Sequence, residues 1–403
     1  MRYDPELYRE IVGDEVIAEI YRKSRKIYGK YILNVNSTYQ GGGVAEMLSS
    51  LIPLMNNTGL DVDWRILHGN ADFFTVTKKF HNALQGAKIN LTDLKKNLYV
   101  KTNEDFSIYT HIKHDAVIIH DPQPLPLITF YKKRQPWIWR CHIDLTAPSP
   151  DVWNYLKTFI LRYDVVIVSD KDYKRNDLPV EQRVIMPAID PLTPKNMDLP
   201  KNTIQKYLKK FDIPMDKPII TQISRFDPWK DPEGVIDIFK KVKEEVDTRL
   251  VLCGNMATDD PEGYKIYRKV EQKAKSLIEK GDVILITSEN NILVNVLQRV
   301  SSVIIQKSIR EGFGLTVTEA LWKGTPVVAS NIGGIKLQIK DGINGFLLNP
   351  HDIDGFAKRI IQILKDKELA VRIGNKGKES VRKNFLITRL LIQHLDLLRE
   401  VLS

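Results

Sequence analysis

The stretch SVIIQKSIREGFGLTVTEALWKGTPVVASN, residues 302–331, decides the fold of this chain. It begins with a short apolar run, passes through a loop with two glycines, continues as a helical segment and ends in a second apolar run. A strand, a helix and another strand in this order form a βαβ unit with parallel strands. The stretch therefore predicts a parallel sheet covered by helices, with the glycine loop at the carboxyl end of a strand.

Short apolar runs of this kind recur along the chain, with amphipathic helical segments between them. A proline-rich stretch, residues 187–202, can neither extend a central strand nor continue a helix, and it separates two series of six runs. We therefore predict an α/β chain with two Rossmann-like domains, residues 1–198 and 199–380, followed by a helix at 381–403. The first series is YILNVNS, VDWRILHG, DAVIIHDP, WIWRCHID, YDVVIVSD and RVIMPA; the second is PIITQISR, TRLVLCGN, DVILITSE, SVIIQKS, PVVASN and GFLLNP.

The composition argues against several classes of protein. The 60 Lys and Arg residues exceed the 50 Asp and Glu residues, but they are scattered rather than interleaved with aromatic residues, so we expect no nucleic-acid partner. The only two cysteines, Cys141 and Cys253, favour a reducing compartment over a disulfide framework or a zinc site. No run approaches about 18 uncharged apolar residues, so we predict a cytoplasmic protein without a membrane partner.

The loop of the opening stretch carries the strongest signal for a binding site. Gly312 and Gly314 permit close approach to the backbone, and a helix that begins near Leu315 offers free N–H groups to an anion. Glu311 in the loop and Glu319 in the helix are placed to bind hydroxyl groups at the two ends of such a ligand. In the alternative interpretation Glu319 only complements the helix dipole and Glu311 is solvated, which explains the charges but not the glycines.

A pair of cations follows another apolar run. Arg225 and Lys230 lie in the loop RFDPWK, just before a helical segment. Two cations beside a helix N-terminus form a phosphate site that needs no metal ion. The alternative is an ordinary surface loop, because such loops often carry an Arg and a Lys.

The first half has its own glycine loop, TYQGGGVAEML, after the run YILNVNS. Gly42 and Gly43 would let backbone N–H groups approach a phosphate or a sugar. A dinucleotide cofactor is disfavoured, because the pattern is not G-x-G-x-x-G and no carboxylate follows the second run. A tight strand-to-helix turn remains the alternative.

Histidines and carboxylates follow two further runs of the first half. His120 with Asp121, and His142 with Asp144, lie where strands are predicted to end, which places the histidines either in the binding crevice or in the core. The carboxylates either bind sugar hydroxyls or cap the next turns. The D-x-D sequence at 61–63 is interpreted as a turn before a strand rather than as a metal site, and no metal ligands are assigned.

Together these motifs resemble a known superfamily. Glu311 and Glu319, with seven residues between them, resemble the E-x7-E motif of retaining glycosyltransferases with the B-type fold, relatives of glycogen synthase and sucrose synthase. Arg225 and Lys230 match the R-x4-K diphosphate pair of that superfamily. The GGGV loop and His142 match its N-terminal glycine loop and its sugar-binding histidine.

The resemblance implies a fold and a set of roles. Two Rossmann-like domains would face each other across a cleft, and the C-terminal helix would cross back to the first domain. Catalysis would depend on Arg225, Lys230, Glu311 and His142. Donor binding would involve Gly42, Gly43, Arg225, Lys230, Gly312, Phe313, Gly314, Leu315 and Glu319; the acceptor side would involve Gln40, Asp121 and Asp144.

A narrower resemblance is to the trehalose glycosyltransferring synthases of archaea and bacteria, carried by NVNSTYQGGGVAEML, IIHDPQPLP, WRCHIDLTAPSPDVW, SRFDPWKDPEGV and SIREGFGLTVTEALWKG. It implies transfer of glucose from ADP-, UDP- or GDP-glucose to free glucose, with no tightly bound cofactor and no essential metal. Fungal-type trehalose phosphorylases share much of this pattern, so phosphorolysis of trehalose, another hexosyl transfer, and a binding protein without turnover stay open.

The segment before Tyr31 is predicted to be a helical extension. A homodimer contact is one interpretation of its amphipathic pattern, and an arm that packs on its own domain is the other.

Overall fold

A computed structural model describes residues 3–39, 42–254 and 261–403 of the chain. The chain forms two compact units, each with its own sheet and core. The first unit comprises Met1–Ala188 together with Ile387–Ser403, and the second comprises Ile189–Leu386. The two-domain α/β architecture predicted from the alternating apolar runs is confirmed.

The division falls ten residues earlier than the predicted boundary at 198 and six residues later than the one at 380. The first unit ends at residue 188 because the end of the proline-rich stretch is hydrogen-bonded to the second unit. The Nδ2 atom of Asn295, in the second unit, donates hydrogen bonds to the carbonyl oxygens of Pro194 and Met197 at 2.9 and 2.8 Å. The end of the proline-rich stretch is therefore bound to the second unit.

The first sheet has six parallel strands in the order β2-β1-β3-β4-β5-β6. The order 2-1-3-4-5 within it is that of flavodoxin-like doubly wound folds. Every residue of the central strand β3 is buried, as expected for a sheet covered on both faces. The strands are β1 (Tyr31–Asn36), β2 (Asp61–Ile66), β3 (Ala116–His120), β4 (Trp137–Arg140), β5 (Val165–Val168) and β6 (Glu181–Val184).

The second sheet also has six parallel strands, in the order β12-β11-β10-β7-β8-β9. Counted from its own first strand, this is the 3-2-1-4-5-6 order of the dinucleotide-binding Rossmann fold. The strands are β7 (Ile219–Ile223), β8 (Arg249–Gly254), β9 (Val283–Thr287), β10 (Val303–Gln306), β11 (Val327–Ser330) and β12 (Phe346–Leu348).

Helices that connect the strands contribute apolar side chains to the core of each unit. The helices of the chain are α1 (Arg9–Val12), α2 (Asp14–Ser24), α3 (Gly43–Asn57), α4 (Ala71–Leu84), α5 (Asp93–Tyr109), α6 (Pro150–Ile160), α7 (Lys201–Lys210), α8 (Pro232–Glu245), α9 (Pro261–Glu279), α10 (Asn291–Val300), α11 (Leu315–Trp322), α12 (Ile353–Lys365), α13 (Lys367–Asn384) and α14 (Ile387–Val401). Among the described helices, none combines the length and the apolar character that a bilayer crossing requires.

The predicted N-terminal extension is helical, and its main helix packs within the first unit. Helix α2 contacts α14, where Lys23 forms an ion pair with Asp396 at 2.5 Å. Ile17 and Ile20 of α2 are buried. These contacts agree with the packing-arm interpretation, while the homodimer contact stays a prediction.

The interpretation of residues 61–63 as a turn before a strand is wrong. Strand β2 begins at Asp61, so this acidic pair belongs to the sheet. The carboxylate of Asp63 accepts a hydrogen bond from the Tyr31 hydroxyl at 2.6 Å and contacts Nε2 of His114 at 3.1 Å. Its role is to join three neighbouring segments of the first unit.

Candidate active site

Each sheet has one switch point, where the chain connections from two neighbouring strands leave in opposite directions. It lies between β1 and β3 in the first sheet and between β7 and β10 in the second. Open α/β sheets bind ligands in the crevice outside the carboxyl ends of the strands at such points. His120 ends β3 at the first switch point, and Lys230 and Glu311 follow β7 and β10 at the second.

An ion pair spans the switch point of the second sheet. Lys230 follows β7 in a single 3-10 turn, and Glu311 lies in the loop after β10. Lys230 Nζ is 2.6 Å from Glu311 Oε2, and the two side chains are only 16% and 12% exposed. The two motifs singled out from the sequence are therefore in direct contact.

The glycine loop between Glu311 and α11 has the backbone shape that its sequence predicts. Gly314 has φ 83° and forms the N-cap of α11, where a Cβ atom would lie 3.2 Å from the Glu311 side chain. The Gln338 side chain holds the loop from behind, because its Nε2 donates to the Phe313 carbonyl at 2.6 Å. The N-terminus of α11, beginning at Leu315, is thus presented by a fixed loop, and Gly312 also belongs to it.

A second ion pair beside the first was not found from the sequence. The side chain of Lys307 is 2% exposed, and its ammonium group contacts the carboxylate of Asp231. Asp231 has φ 43° and caps α8 through a 3.0 Å hydrogen bond from the Gly234 backbone N–H. Lys307 directly follows β10, so inspection of every residue after an apolar run would have singled it out.

Glu319 is buried inside the second unit, 2% exposed, and its carboxylate has two partners. Lys195 Nζ lies 3.3 Å from one oxygen, and Gln298 Nε2 donates to the other at 3.2 Å. A carboxylate offers about four acceptor positions, so these contacts leave capacity for ligand hydroxyls. Beside it, burial lowers the pKa of Lys323 to about 7.

Arg225 stands apart from the ion pairs. Its side chain is 61% exposed, and its nearest acidic contact is Asp227 at 3.3 Å. Asp227 also caps the turn that carries Lys230, through a 2.7 Å hydrogen bond from the Trp229 backbone N–H. The same loop thus carries an exposed cation, Arg225, and a largely buried one, Lys230.

At the switch point of the first sheet, uncharged side chains form a chain of hydrogen bonds. His120 is the last residue of β3, and its Nε2 lies 3.0 Å from the Asn34 Oδ1 atom on β1. His120 Nδ1 lies 3.1 Å from Nε2 of His142, and the two rings are stacked with centroids 5.4 Å apart. Burial lowers the pKa of both histidines well below the usual value, and the positive charge of Arg140 adds to this effect.

Asp121 orients His142 through the backbone. Its Oδ1 accepts the His142 backbone N–H at 2.8 Å, and its carbonyl oxygen accepts the Trp139 indole N–H at 2.9 Å. Burial raises the pKa of Asp121 to about 7. Its φ of 61° is a strained backbone value for a residue other than glycine, and such strain concentrates at functional sites.

The other residues predicted on the first unit have mixed outcomes. Asp144 Oδ1 accepts hydrogen bonds from the Thr146 backbone N–H and hydroxyl at 2.9 and 2.6 Å, which is the turn-capping alternative. Gly42, with φ 123°, precedes α3, and Gly43 is the first residue of that helix. Gln40 lies outside the described residues.

No metal-binding cluster of His, Cys, Asp or Glu is found among residues 3–39, 42–254 and 261–403. Cys141 and Cys253 are both buried free thiols.

The class of the protein follows from its similarity to known glycosyltransferases. Residues 203–380 match the family of group 1 glycosyl transferases, which covers both ion pairs and Glu319. A trehalose-phosphate synthase (UDP-forming) from Burkholderia xenovorans superposes with a TM-score of 0.75, covering 93% of this chain and 100% of that one at 12% identity. At that identity the likeness establishes the fold, and the B-type class expected from the motifs is confirmed.

The chain belongs to the trehalose synthase family. Residues 34–175 match the N-terminal domain of trehalose synthase. The trehalose synthase of Thermococcus litoralis is 48% identical over 97% of this chain and 95% of its own length. A trehalose phosphorylase of Pleurotus pulmonarius is 30% identical over 94% of this chain but only 58% of its own length.

Proposed function

We propose that this enzyme transfers glucose from a nucleoside-diphosphate glucose to free glucose, with retention at the anomeric carbon, and so forms α,α-trehalose. The observation that carries the proposal is the contact between Lys230 and Glu311 at the second switch point. In this contact a cation and a carboxylate lie within one hydrogen bond of each other, beside the N-terminus of α11. A sugar diphosphate needs both kinds of contact at adjacent atoms.

In the proposed reaction the bond from the glucose anomeric carbon to the diphosphate oxygen breaks. The bond to a hydroxyl oxygen of the acceptor glucose forms on the same face, and the hydroxyl proton passes to a diphosphate oxygen. Lys230 and Arg225 stabilise the negative charge that develops on the leaving diphosphate, which makes a metal ion unnecessary. A nucleoside diphosphate is already a good leaving group, so no protein acid is needed.

The remaining residues bind the two ends of the donor. Glu311 and the backbone N–H groups of Phe313 to Leu315 bind the glucose hydroxyls, and Glu319 binds the ribose hydroxyls. Lys195 and Gln298 hold the Glu319 carboxylate in place for this contact. On the first unit, His142 binds a hydroxyl of the donor glucose. Gly42 and Gly43 border the phosphates and the acceptor. Asp121 binds the acceptor, while its Oδ1 also accepts the His142 backbone N–H.

The test is product analysis with the purified chain. Glucose is incubated separately with ADP-, UDP- and GDP-glucose, and the disaccharide is identified by proton NMR, which reports the anomeric configuration. Formation of α,α-trehalose with an equal amount of nucleoside diphosphate supports the proposal and names the donor. Absence of any disaccharide from all three donors would sink it.

A second arm tests the nearest alternative, phosphorolysis, which the similarity to a trehalose phosphorylase brings into consideration. Trehalose and inorganic phosphate are incubated without nucleotide, and glucose 1-phosphate is measured. Formation of glucose 1-phosphate in this arm alone would assign the cations of the second unit to free phosphate instead of a nucleoside diphosphate.

A further inference from the structure

We propose that Asn34 and His120 are positioning residues that fix the tautomer of His142, so that its Nδ1 atom accepts a hydrogen bond from a sugar hydroxyl. The three side chains are called the Asn–His–His relay below. They come from β1, from the end of β3 and from the residues just after β4. The relay thus crosses the switch point of the first sheet.

The direction of the relay follows from the orientation of the Asn34 amide, whose oxygen faces His120. The Asn34 Oδ1 atom has no proton, so the 3.0 Å contact requires His120 to carry its proton on Nε2. A neutral imidazole has one N–H group, so His120 Nδ1 is an acceptor. The 3.1 Å contact with His142 then requires the His142 proton to lie on Nε2.

The relay is buried and rigid enough to hold this arrangement. Asn34 and His120 are 4% and 1% exposed, and the two imidazole rings are stacked at an interplanar angle of 15°. Burial disfavours a proton on either ring, and the positive charge of Arg140 adds to this effect, which keeps both histidines neutral. The Asp121 carboxylate accepts a hydrogen bond from the His142 backbone N–H rather than from its ring.

The free face of His142 is its Nδ1 atom. Within the described residues no hydrogen bond reaches this atom, and the side chain is partly exposed, unlike His120. A lone pair at Nδ1 binds a group that donates a hydrogen bond. Among the groups of a neutral hexose, only a hydroxyl does so, whereas a fluorine substituent or a hydrogen atom cannot.

The role of Nδ1 toward sugar rests on the proposed function, but the proton positions do not. The first experiment is therefore a long-range proton–nitrogen NMR spectrum of the chain labelled with ¹⁵N-histidine, assigned with the His142→Ala and His120→Gln variants. We expect both rings to carry a proton on Nε2 and a lone pair on Nδ1. A proton on Nδ1 of His142 would overturn the proposal, whether or not any sugar is transferred.

The second experiment compares monodeoxy and monodeoxyfluoro glucose donors in the transfer reaction. The hydroxyl that His142 contacts is the one whose replacement lowers kcat/KM in the natural chain but not in the His142→Ala variant. At that position we expect both analogues to lose about tenfold or more in kcat/KM, and the fluoro analogue to be no better than the deoxy analogue. A fluoro analogue that clearly outperforms the deoxy analogue would mean that Nδ1 donates, and would overturn the proposal.

The third experiment changes the anchor of the relay. Asn34→Leu removes the accepting oxygen, and we expect a mixture of His142 tautomers and a rise in donor KM larger than the fall in kcat. Asn34→Asp keeps an accepting oxygen and is expected to restore the Nε2–H pattern. An unchanged His142 spectrum in folded Asn34→Leu would show that Asn34 does not position this ring.

Discussion

The two switch points occupy the same place in two parallel sheets but differ in charge. The second holds the ion pairs Lys230–Glu311 and Lys307–Asp231. The first holds the Asn–His–His relay, whose members are uncharged, beside an Asp121 whose pKa burial raises to about 7. The same topological position therefore carries Lys–carboxylate pairs in the second unit. In the first unit it carries uncharged hydrogen-bonding side chains, with the buried Arg140 as the nearby cation.

The largest expected effect tests whether the first switch point is neutral. The pKa of Asp121 is about 7 instead of its usual 3.8, so the folded state favours the protonated carboxyl. The stabilisation of the folded state by the protonated Asp121 carboxyl is fully present below about pH 4 and is lost as the pH rises to about 7. The loss amounts to about 4 kcal/mol, at about 1.4 kcal/mol per pKa unit.

Asp121→Asn removes this dependence and keeps an oxygen for the His142 backbone N–H. We expect the melting temperature of the natural chain to fall relative to that of the variant between about pH 4 and 7. Parallel profiles for the two proteins would mean that Asp121 is ionised when folded, and the contrast in charge between the switch points would be lost.

The next effect concerns the charged switch point. Lys230→Ala is expected to lower kcat about 10²–10³-fold, because a donor to the developing diphosphate charge contributes about 3 kcal/mol to transition-state stabilisation. The matched control is Lys365→Ala, since Lys365 is a 55% exposed lysine of the same unit paired with Glu245. Equal turnover in the two variants would remove Lys230 from the proposed site.

A smaller effect is expected for the second ion pair, where stability is the readout. Asp231→Asn keeps a capping oxygen and tolerates the left-handed backbone, but leaves the buried Lys307 ammonium without a countercharge. We expect a loss of about 2 kcal/mol in the free energy of unfolding, less than the loss of about 3–5 kcal/mol for a fully buried pair, because the Asp231 side chain is 23% exposed. The double variant Asp231→Asn with Lys307→Met should recover most of this stability. If the stability losses of the two single variants simply add in the double variant, the ion pair is not their cause.

The smallest effect concerns Glu319. Glu319→Gln is expected to weaken nucleoside-diphosphate binding about tenfold, or about 1.4 kcal/mol, because an amide is a weaker acceptor for ribose hydroxyls than a carboxylate. Calorimetric titration checks this, with Glu245→Gln at a 56% exposed position as the control. A normal nucleotide affinity in Glu319→Gln would contradict the ribose role, whatever happens to kcat.

Much of the second site could be predicted from sequence, because its residues follow apolar runs. Lys230 and Glu311 lie after β7 and β10, and parallel strands bring their carboxyl ends to one edge of the sheet. Their direct contact depends on the order β7–β10, which the sequence does not reveal. Lys195 as a partner of Glu319 was beyond prediction, since it comes from the proline-rich stretch.

The first site was less predictable for a different reason. Asn34 lies inside a strand, where a polar residue gives no signal of which neighbour it will face. His120 and His142 were recognised as candidates, but their contact with each other depends on the register of β3 and β4. Asp144 was open to two interpretations, and local hydrogen bonds to Thr146 decided for the structural one.

The placement of α14 in the first unit has a consequence for biosynthesis. Residues 189–386 are made as one uninterrupted segment, so the second unit can fold as soon as it leaves the ribosome. The first unit, by contrast, begins earliest and is finished last, because α14 covers α2 and α3 only after the final residues have been translated. Until then the apolar surface that receives α14 stays exposed, which makes the nascent first unit the more vulnerable half of the chain to aggregation and to chaperone capture.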